Sequence, residues 1–328
     1  MFLEWNHRSI RLTGRWDRSI NTQTSTTTNG SRIEAAFAGK SAIIHFDIST
    51  NVLPFPHLWI TVDEGPKVEV PLARLLHVES SNDGPHSLQI IMKSSSEGLA
   101  RWFYPQEAVV RFKGLEVDSP SELRVDTRLI LEVIGDSITE GVLVEVANTD
   151  EGNYHERVFQ DDTCSTYAWK CAERLNMRPR PIGFGAVGTL KSGSGEVPNV
   201  LDSYGFIFDG CPCEEEKADV IVIAHGTNDW GRTDEEFAPA YTGFLEIVRQ
   251  HNPKAVICAM SPFVGRFEEM LPGVVDQYNQ THSDNVKFIS TKGWLPVEPV
   301  HPLKAGHARA GELLAKALIE VGAVSHLL

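Results

Sequence analysis

The sequence is poor in cysteine: five in 328 residues, Cys164, Cys171, Cys211, Cys213 and Cys258. An odd number argues against a disulfide framework. Cys211-Pro-Cys213 is too tight for the usual zinc pairs and has no matching second pair. Five plain thiols and no metal site are expected. Positive charge is also short, with 30 basic against 44 acidic residues and a formal charge of −14. That balance disfavours nucleic acid and anionic membranes as partners. No apolar run approaches the ~20 residues needed to span a bilayer. The first residues, MFLEWNHRSIRL, lack the basic-then-apolar pattern of a secretory signal, so a cytoplasmic location is expected. Internal repeats and long low-complexity segments are missing as well.

What is present falls into two halves. Residues 1–120 contain short β-rich runs: RIEAAFAG, SAIIHFDIS, LWITVDEG, KVEVPLA, SLQIIMKS and AVVRFKGLEV. Gly-Lys, Asp-Gly and Glu-Gly punctuate them, which predicts an all-β sandwich without helices. The polar, Pro-containing stretch VDSPSELRVDTR, residues 117–128, reads as a linker. From residue 121 to 328 apolar strands (LILEVIG, PRPIGFG, ADVIVIAHG, KAVICAM, VKFIS) alternate with amphipathic helical patterns. Those are STYAWKCAERLN, DEEFAPAYTGFLEIVRQHN, EEMLPGVVDQYNQTH and PLKAGHARAGELLAKALIEVG. Such alternation predicts a three-layer α/β/α domain around a parallel sheet. Ligands of such sheets bind beyond the carboxyl ends of the strands, so chemistry is sought in the loops there.

Three strand ends carry suggestive residues. GDSITEG follows the first strand, where Ser137 is either a helix N-cap or a nucleophile at a helix N-terminus. HGTNDWG follows the third, where Asn228 is either a turn residue or a side-chain donor to an oxyanion. Asp229 suits a partner for turn amides. EPVHPLKAGH follows the last, where His301 is either a solvated loop residue or a general base. Glu298 stands three residues before it, in place to orient the imidazole; His307, inside the next helix, suits packing or capping. Ser, Asn and His thus converge on one edge of one sheet.

The second strand ends in IGFGAVG, in which Gly183, Gly185 and Gly188 spell G-x-G-x-x-G. A dinucleotide cradle needs those glycines to open a helix after the strand. Here they run into TLKSGSGEVPN, a poor helix start, so no dinucleotide is expected.

GDSITEG, GTND and E-x-x-H-P-x-x-x-G-H, in that order, resemble the blocks of the SGNH (GDSL-type) hydrolases over roughly residues 129–325. The resemblance implies a flavodoxin-like fold and a serine esterase in which Ser137 attacks and His301 is the base, with no metal or cofactor required. It implies an oxyanion hole from the N–H of Ser137, the N–H of Gly185 or Ala186, and the Asn228 side chain. Ala186 stands where the family usually has glycine, and Glu298 where it commonly has Asp. That leaves either a triad or a Ser–His dyad. RLTGRWDRS, NGSRIEAAFAGKSAIIHFDI and the β domain ahead of the hydrolase domain are similar to the two-domain carbohydrate esterases of family 2. There the leading domain is jelly-roll-like and the activity is removal of acetyl groups from plant polysaccharides or their oligosaccharides.

The expected substrate is therefore a small-molecule or oligosaccharide ester. Trp230 and Gly188 are the expected substrate-lining positions, while Trp102, Phe103 and Tyr104 suit core or domain-interface packing. A general short-chain or lipase-like esterase and a non-catalytic carbohydrate-binding protein are the competing readings. A homo-oligomer is compatible with the sequence.

Overall fold

A computed structural model describes residues 1–146, 157–214 and 216–324. The first 120 residues form nine strands: β1 (Phe2–Glu4), β2 (Ile10–Thr13), β3 (Thr24–Thr26), β4 (Arg32–Asp47), β5 (His57–Val62), β6 (Val68–Pro71), β7 (Leu75–Glu79), β8 (Pro85–Ser94) and β9 (Val110–Pro120). All their pairings are antiparallel.

Strand β4 organises this region. Its inward face changes parity halfway: Ile33, Ala35 and Phe37 are buried in its first half, Ala42, Ile44 and Phe46 in its second. Side chains alternate faces along a strand, so only an irregularity can produce that switch. It lies between Ala38 and Ala42, where the register against β9 shifts. Gly39 has φ +126°, and a Cβ there would sit 2.3 Å from a carboxylate oxygen of Asp118. The first half of β4 is flanked by β2 and β8, the second by β7 and β9. Both groups of strands bury their apolar faces in one core around Phe37, Ile44, Phe46, Leu58, Ile90 and Phe112. The expected turn at Gly39-Lys40 is thus a bulge within one sixteen-residue strand. Glycine signals conformational freedom, and a bulge uses it as readily as a turn.

Strand β9 ends at Pro120 and β10 begins at Ile130, with no regular element between them. The parallel sheet contains β10 (Ile130–Gly135) and β11 (Arg178–Gly183); after a small hairpin of β12 (Phe206–Phe208) and β13 (Cys211–Pro212), it continues with β14 (Val220–Ile223), β15 (Val256–Met260) and β16 (Lys287–Ile289). The order β11-β10-β14-β15-β16 is the flavodoxin-like one, with its switch point between β10 and β14.

Seven α-helices and one 3-10 turn (Thr163–Ser165) complete the described chain: α1 (Ser137–Glu140), α2 (Arg157–Gln160), α3 (Tyr167–Arg174), α4 (Val200–Ser203), α5 (Asp234–His251), α6 (Leu271–His282) and α7 (Lys304–Glu320). Alternate strand residues serve the two faces. Ile134, Ile221, Ile223 and Ile257 meet Phe237, Phe244 and Val275 of α5 and α6. Leu131, Val133, Val222 and Cys258 meet Tyr167, Cys171, Leu314 and Leu318 of α3 and α7. A sheet covered on both faces accounts for the near-continuous apolar runs in the sequence. Among the described residues no helix is long and apolar enough to cross a membrane.

The two parts of the chain are joined by specific contacts. Trp59 Nε1 donates to Asp162 Oδ1 at 3.0 Å, and Lys93 Nζ donates to the carbonyls of Val158 and Phe159 at 3.0 and 3.1 Å. Trp102 is buried in the core beside Phe184, Val197 and Tyr204, whereas Phe103 and Tyr104 are exposed.

Candidate active site

Ser137 sits two residues past the last paired residue of β10, at the switch point of the sheet. The turn into α1 is built by its neighbours. Asp136 is the N-cap, its carboxylate accepting the Ile138 N–H at 3.0 Å. Gly135 leaves room for Thr139, whose Oγ1 would lie 2.1 Å from a Cβ at that position. Asp136 therefore does the capping, and the Ser137 hydroxyl is released for chemistry. Burial pushes the Asp136 carboxyl up to about 6, against the hydrogen bonds from Ile138 and Thr227 that hold it down.

His301 Nε2 lies 2.9 Å from Ser137 Oγ, across 164 residues of sequence. Its loop is pinned at the start of α7. Lys304 N–H donates to Val144 O at 3.0 Å, and its ammonium pairs with Glu145 at 2.6 Å. Buried His307 accepts the Tyr167 N–H on Nδ1 at 3.1 Å and stacks on the Tyr167 ring, fixing α7 to α3. Burial pushes His307 down to about 3, so it stays neutral as the packing residue its place in the helix suggested.

Glu298 is not brought to His301. Its side chain is exposed, and among the described residues it makes no hydrogen bond or ion pair. The loop between Pro299 and Pro302 turns the histidine inward and the carboxylate outward.

The loop after β11 answers a backbone accounting question: where does each N–H go? The N–H of Val187 donates to Phe184 O, that of Gly188 to Lys191 O, and those of Thr189 and Leu190 to the Asp229 carboxylate. The N–H of Gly185 lies toward the Glu140 carboxylate and helps hold its charge, without a hydrogen bond to it. Among the described residues that leaves the N–H of Ala186 without a partner. Ala186 is half-buried while its neighbours from Ile182 to Thr189 are buried, and its φ is +58°. This left-handed conformation is costly for a residue with a Cβ and explains why glycine is usual there.

Asn228 comes from the loop after β14. Its Nδ2 donates one hydrogen to Val187 O at 3.1 Å, which fixes the amide plane and leaves the second N–H available. Asp229 holds the neighbouring loop through the Thr189 and Leu190 N–H groups at 2.9 and 2.7 Å, so it is a partner for turn amides. Gly188 does not line a substrate site. It is buried, its N–H and C=O are both bonded within the chain, and a Cβ there would lie 2.8 Å from Asp229. Glycine is needed because the Asp229 carboxylate packs against it. Trp230 is 62% exposed and stacks under the Arg266 guanidinium at 4.0 Å.

The structure thus gathers Ser137, His301, Asn228 and the free Ala186 N–H at the carboxyl edge of adjacent strands. A hydroxyl in contact with an imidazole, beside converging N–H donors, suits acyl transfer. Residues 133–309 match the model of the GDSL-like lipase/acylhydrolase family. The chain belongs to that family. It is a carboxylic ester hydrolase of the GDSL type, and its two-part fold recurs in solved structures. A family two carbohydrate esterase from Cellvibrio japonicus is similar with TM-score 0.80 and 20% identity, covering 98% of this chain and 97% of that one. An acetyl xylan esterase from Butyrivibrio proteoclasticus gives 0.77 and 19%, covering 98% and 99%. A family two carbohydrate esterase from Clostridium thermocellum, in complex with cellohexaose, gives 0.73 and 22%, covering 95% and 99%. No curated protein matches the chain by sequence.

Sequence reasoning missed the residues behind this edge. Glu140 is fully buried, and it meets Arg101 and Asn29 of the β region. A carboxylate one turn after the nucleophile was the available signal.

Proposed function

We propose that this GDSL-type esterase removes acetyl groups from acetylated carbohydrates of the xylo-oligosaccharide kind through an acyl-enzyme on Ser137. The observation that carries the mechanism is the 2.9 Å contact between Ser137 Oγ and His301 Nε2. His301 takes the Ser137 proton as Oγ attacks the ester carbonyl. The oxyanion is held by the N–H groups of Ser137 and Ala186 and by the second N–H of Asn228. The sugar hydroxyl leaves with the proton from His301. Water, deprotonated by the same imidazole, then frees acetate. Every step uses side chains and backbone of this chain.

Two features support the carbohydrate. The fold along nearly the whole chain is that of esterases whose substrates or ligands are glycans. Trp230, two residues past Asn228, presents an exposed aromatic surface of the kind that stacks on sugar rings. The test is acetate release from acetylated xylo-oligosaccharides, run beside p-nitrophenyl esters of increasing acyl length. Release of acetate, with aryl-ester turnover falling steeply beyond acetyl, is expected. A preference for long acyl chains and no acetate from the sugar would overturn the substrate.

A further inference from the structure

Residues 93–102 of the β region leave β8 and pack against the loop after β11. Three of their contacts converge on Gly185, the residue before the free Ala186 N–H. Glu97 packs against the Gly185 Cα so closely that a Cβ there would lie 2.0 Å from its Oε2. Arg101 donates Nη1 to Glu140 Oε1, with both side chains excluded from solvent, and its guanidinium lies over the Phe184 ring at 5.1 Å. The Arg101 N–H donates to Gly195 O at 3.0 Å, and the adjacent Ser194 N–H donates to Gly185 O at 2.8 Å.

Glu140 is the hub. It closes the turn that starts at Ser137, and its Oε1 also accepts Asn29 Nδ2 at 3.1 Å. Asn29 is itself oriented by Ser95 Oγ at 3.1 Å. The Gly185 N–H lies toward the same carboxylate without a hydrogen bond to it. On the outer side Glu97 is neutralised by Arg157 at 3.0 Å. Gly185 is therefore held at its Cα by Glu97 and at its C=O by the Ser194 N–H, beside the buried Arg101–Glu140 pair. Glu97 and Arg101 both belong to the β region.

We infer that Arg101 and Glu97 are positioning residues for the esterase reaction: through Glu140 and Gly185 they hold the left-handed Ala186 peptide with its N–H aimed at the oxyanion, so the β region completes the catalytic centre. A backbone donor in a conformation that alanine disfavours needs such external restraint to persist. The inference rests on the serine mechanism proposed above and not on the sugar.

A positioning role differs from a merely structural one in what it does to each folded molecule. Active sites are counted by titration with a fluorophosphonate, and kcat on p-nitrophenyl acetate is expressed per titrated site. For Arg101→Met, kcat per site is expected to fall by about 10²-fold, the cost of a misplaced catalytic group, with KM little changed. Affinity for a short alkyl boronic acid, which forms a tetrahedral adduct on serine, is expected to fall in parallel. Glu140→Gln is the second variant, should Arg101→Met not fold. It keeps one acceptor oxygen but places an amide NH₂ among the Arg101 and Asn29 donors, and the same loss is expected. Trp59→Phe breaks the Trp59–Asp162 bond elsewhere in the junction and is expected to lower Tm at unchanged kcat per site. If Arg101→Met or Glu140→Gln folds and keeps kcat per site and boronate affinity within about threefold of wild type, the inference is overturned. A wild-type protein that takes up no fluorophosphonate overturns the serine mechanism and this inference with it. Failure on sugar substrates alone leaves the fluorophosphonate and aryl-ester readouts intact.

Discussion

Replacing Asn228 with alanine separates catalysis from folding in one residue. Among the described residues the Asn228 amide makes a single hydrogen bond, Nδ2 to Val187 O at 3.1 Å, and the residue is half-buried. Losing one such bond costs about 1 kcal/mol, because the freed carbonyl can turn to water. For a unit of ~200 residues that corresponds to a Tm shift of about 2–4 °C. The second N–H is assigned to the oxyanion, where one donor contributes about 2.7–4 kcal/mol to the transition state, or 10²- to 10³-fold in kcat. The two effects are far apart in size. Asn228→Ala is therefore expected to stay folded with a small loss of Tm, to keep KM, and to lose at least a hundredfold in kcat on p-nitrophenyl acetate. Asn228→Asp, of nearly the same shape, places a negative charge against the oxyanion and is expected to be slower still. A folded Asn228→Ala with kcat within about threefold of wild type would refute the assignment of the donor.

Glu298→Gln is expected to leave kcat nearly unchanged, since the carboxylate is exposed and makes no bond among the described residues; a fall of about 10⁴-fold, as for a buried orienting carboxylate, would restore it to the triad. His225 is wholly buried, both ring nitrogens are without partners among the described residues, and burial pushes its pKa down to about 3. Stability from a neutral buried histidine is present above its ordinary pKa near 6.5 and is lost as the pH falls toward 3, by about 2 kcal/mol at pH 5. His225→Leu should remove that share of the loss, read from urea melts at pH 7.5 and 5; an unchanged pH dependence would contradict it. Asp136 behaves oppositely, because its pKa is raised to about 6. Its contribution is full below its ordinary value of 3.8 and is lost as the pH rises through 6, about 3 kcal/mol in all. Asp136→Asn should therefore flatten stability between pH 4 and pH 8 by that amount, and equal slopes for variant and wild type would sink the explanation.

The parallel sheet was legible because its central strands β14 and β15 are apolar on both faces and the long helices α5, α6 and α7 carry a 3.6-residue stripe. Positions such as Ile134, Val222 and Phe244 announce themselves by spacing alone. Ser137, Asn228 and His301 were legible because strand ends in such a sheet face one edge. The β region was harder. The bulge at Gly39 looks like a turn until the parity of Phe37 and Ala42 is compared across it. Gly188 was misread because a glycine that admits a neighbour's carboxylate and one that admits a ligand look the same in sequence. Glu298 was misread because spacing gives reach and not direction. Glu97 and Arg101 were invisible because their partners lie about forty to ninety residues away, beyond what any local pattern reports.

The most direct test of the central claim is the rate of acetate release by Ser137→Ala against wild type, on acetylated xylo-oligosaccharides, with folding checked by Tm. Ser137 is packed at the head of α1 with only its hydroxyl committed to His301, so alanine should fold normally. A fall of about 10⁴-fold or more in a folded variant is the predicted result. A folded Ser137→Ala that releases acetate within about tenfold of wild type would contradict the account, since no acyl-enzyme could then form on this residue.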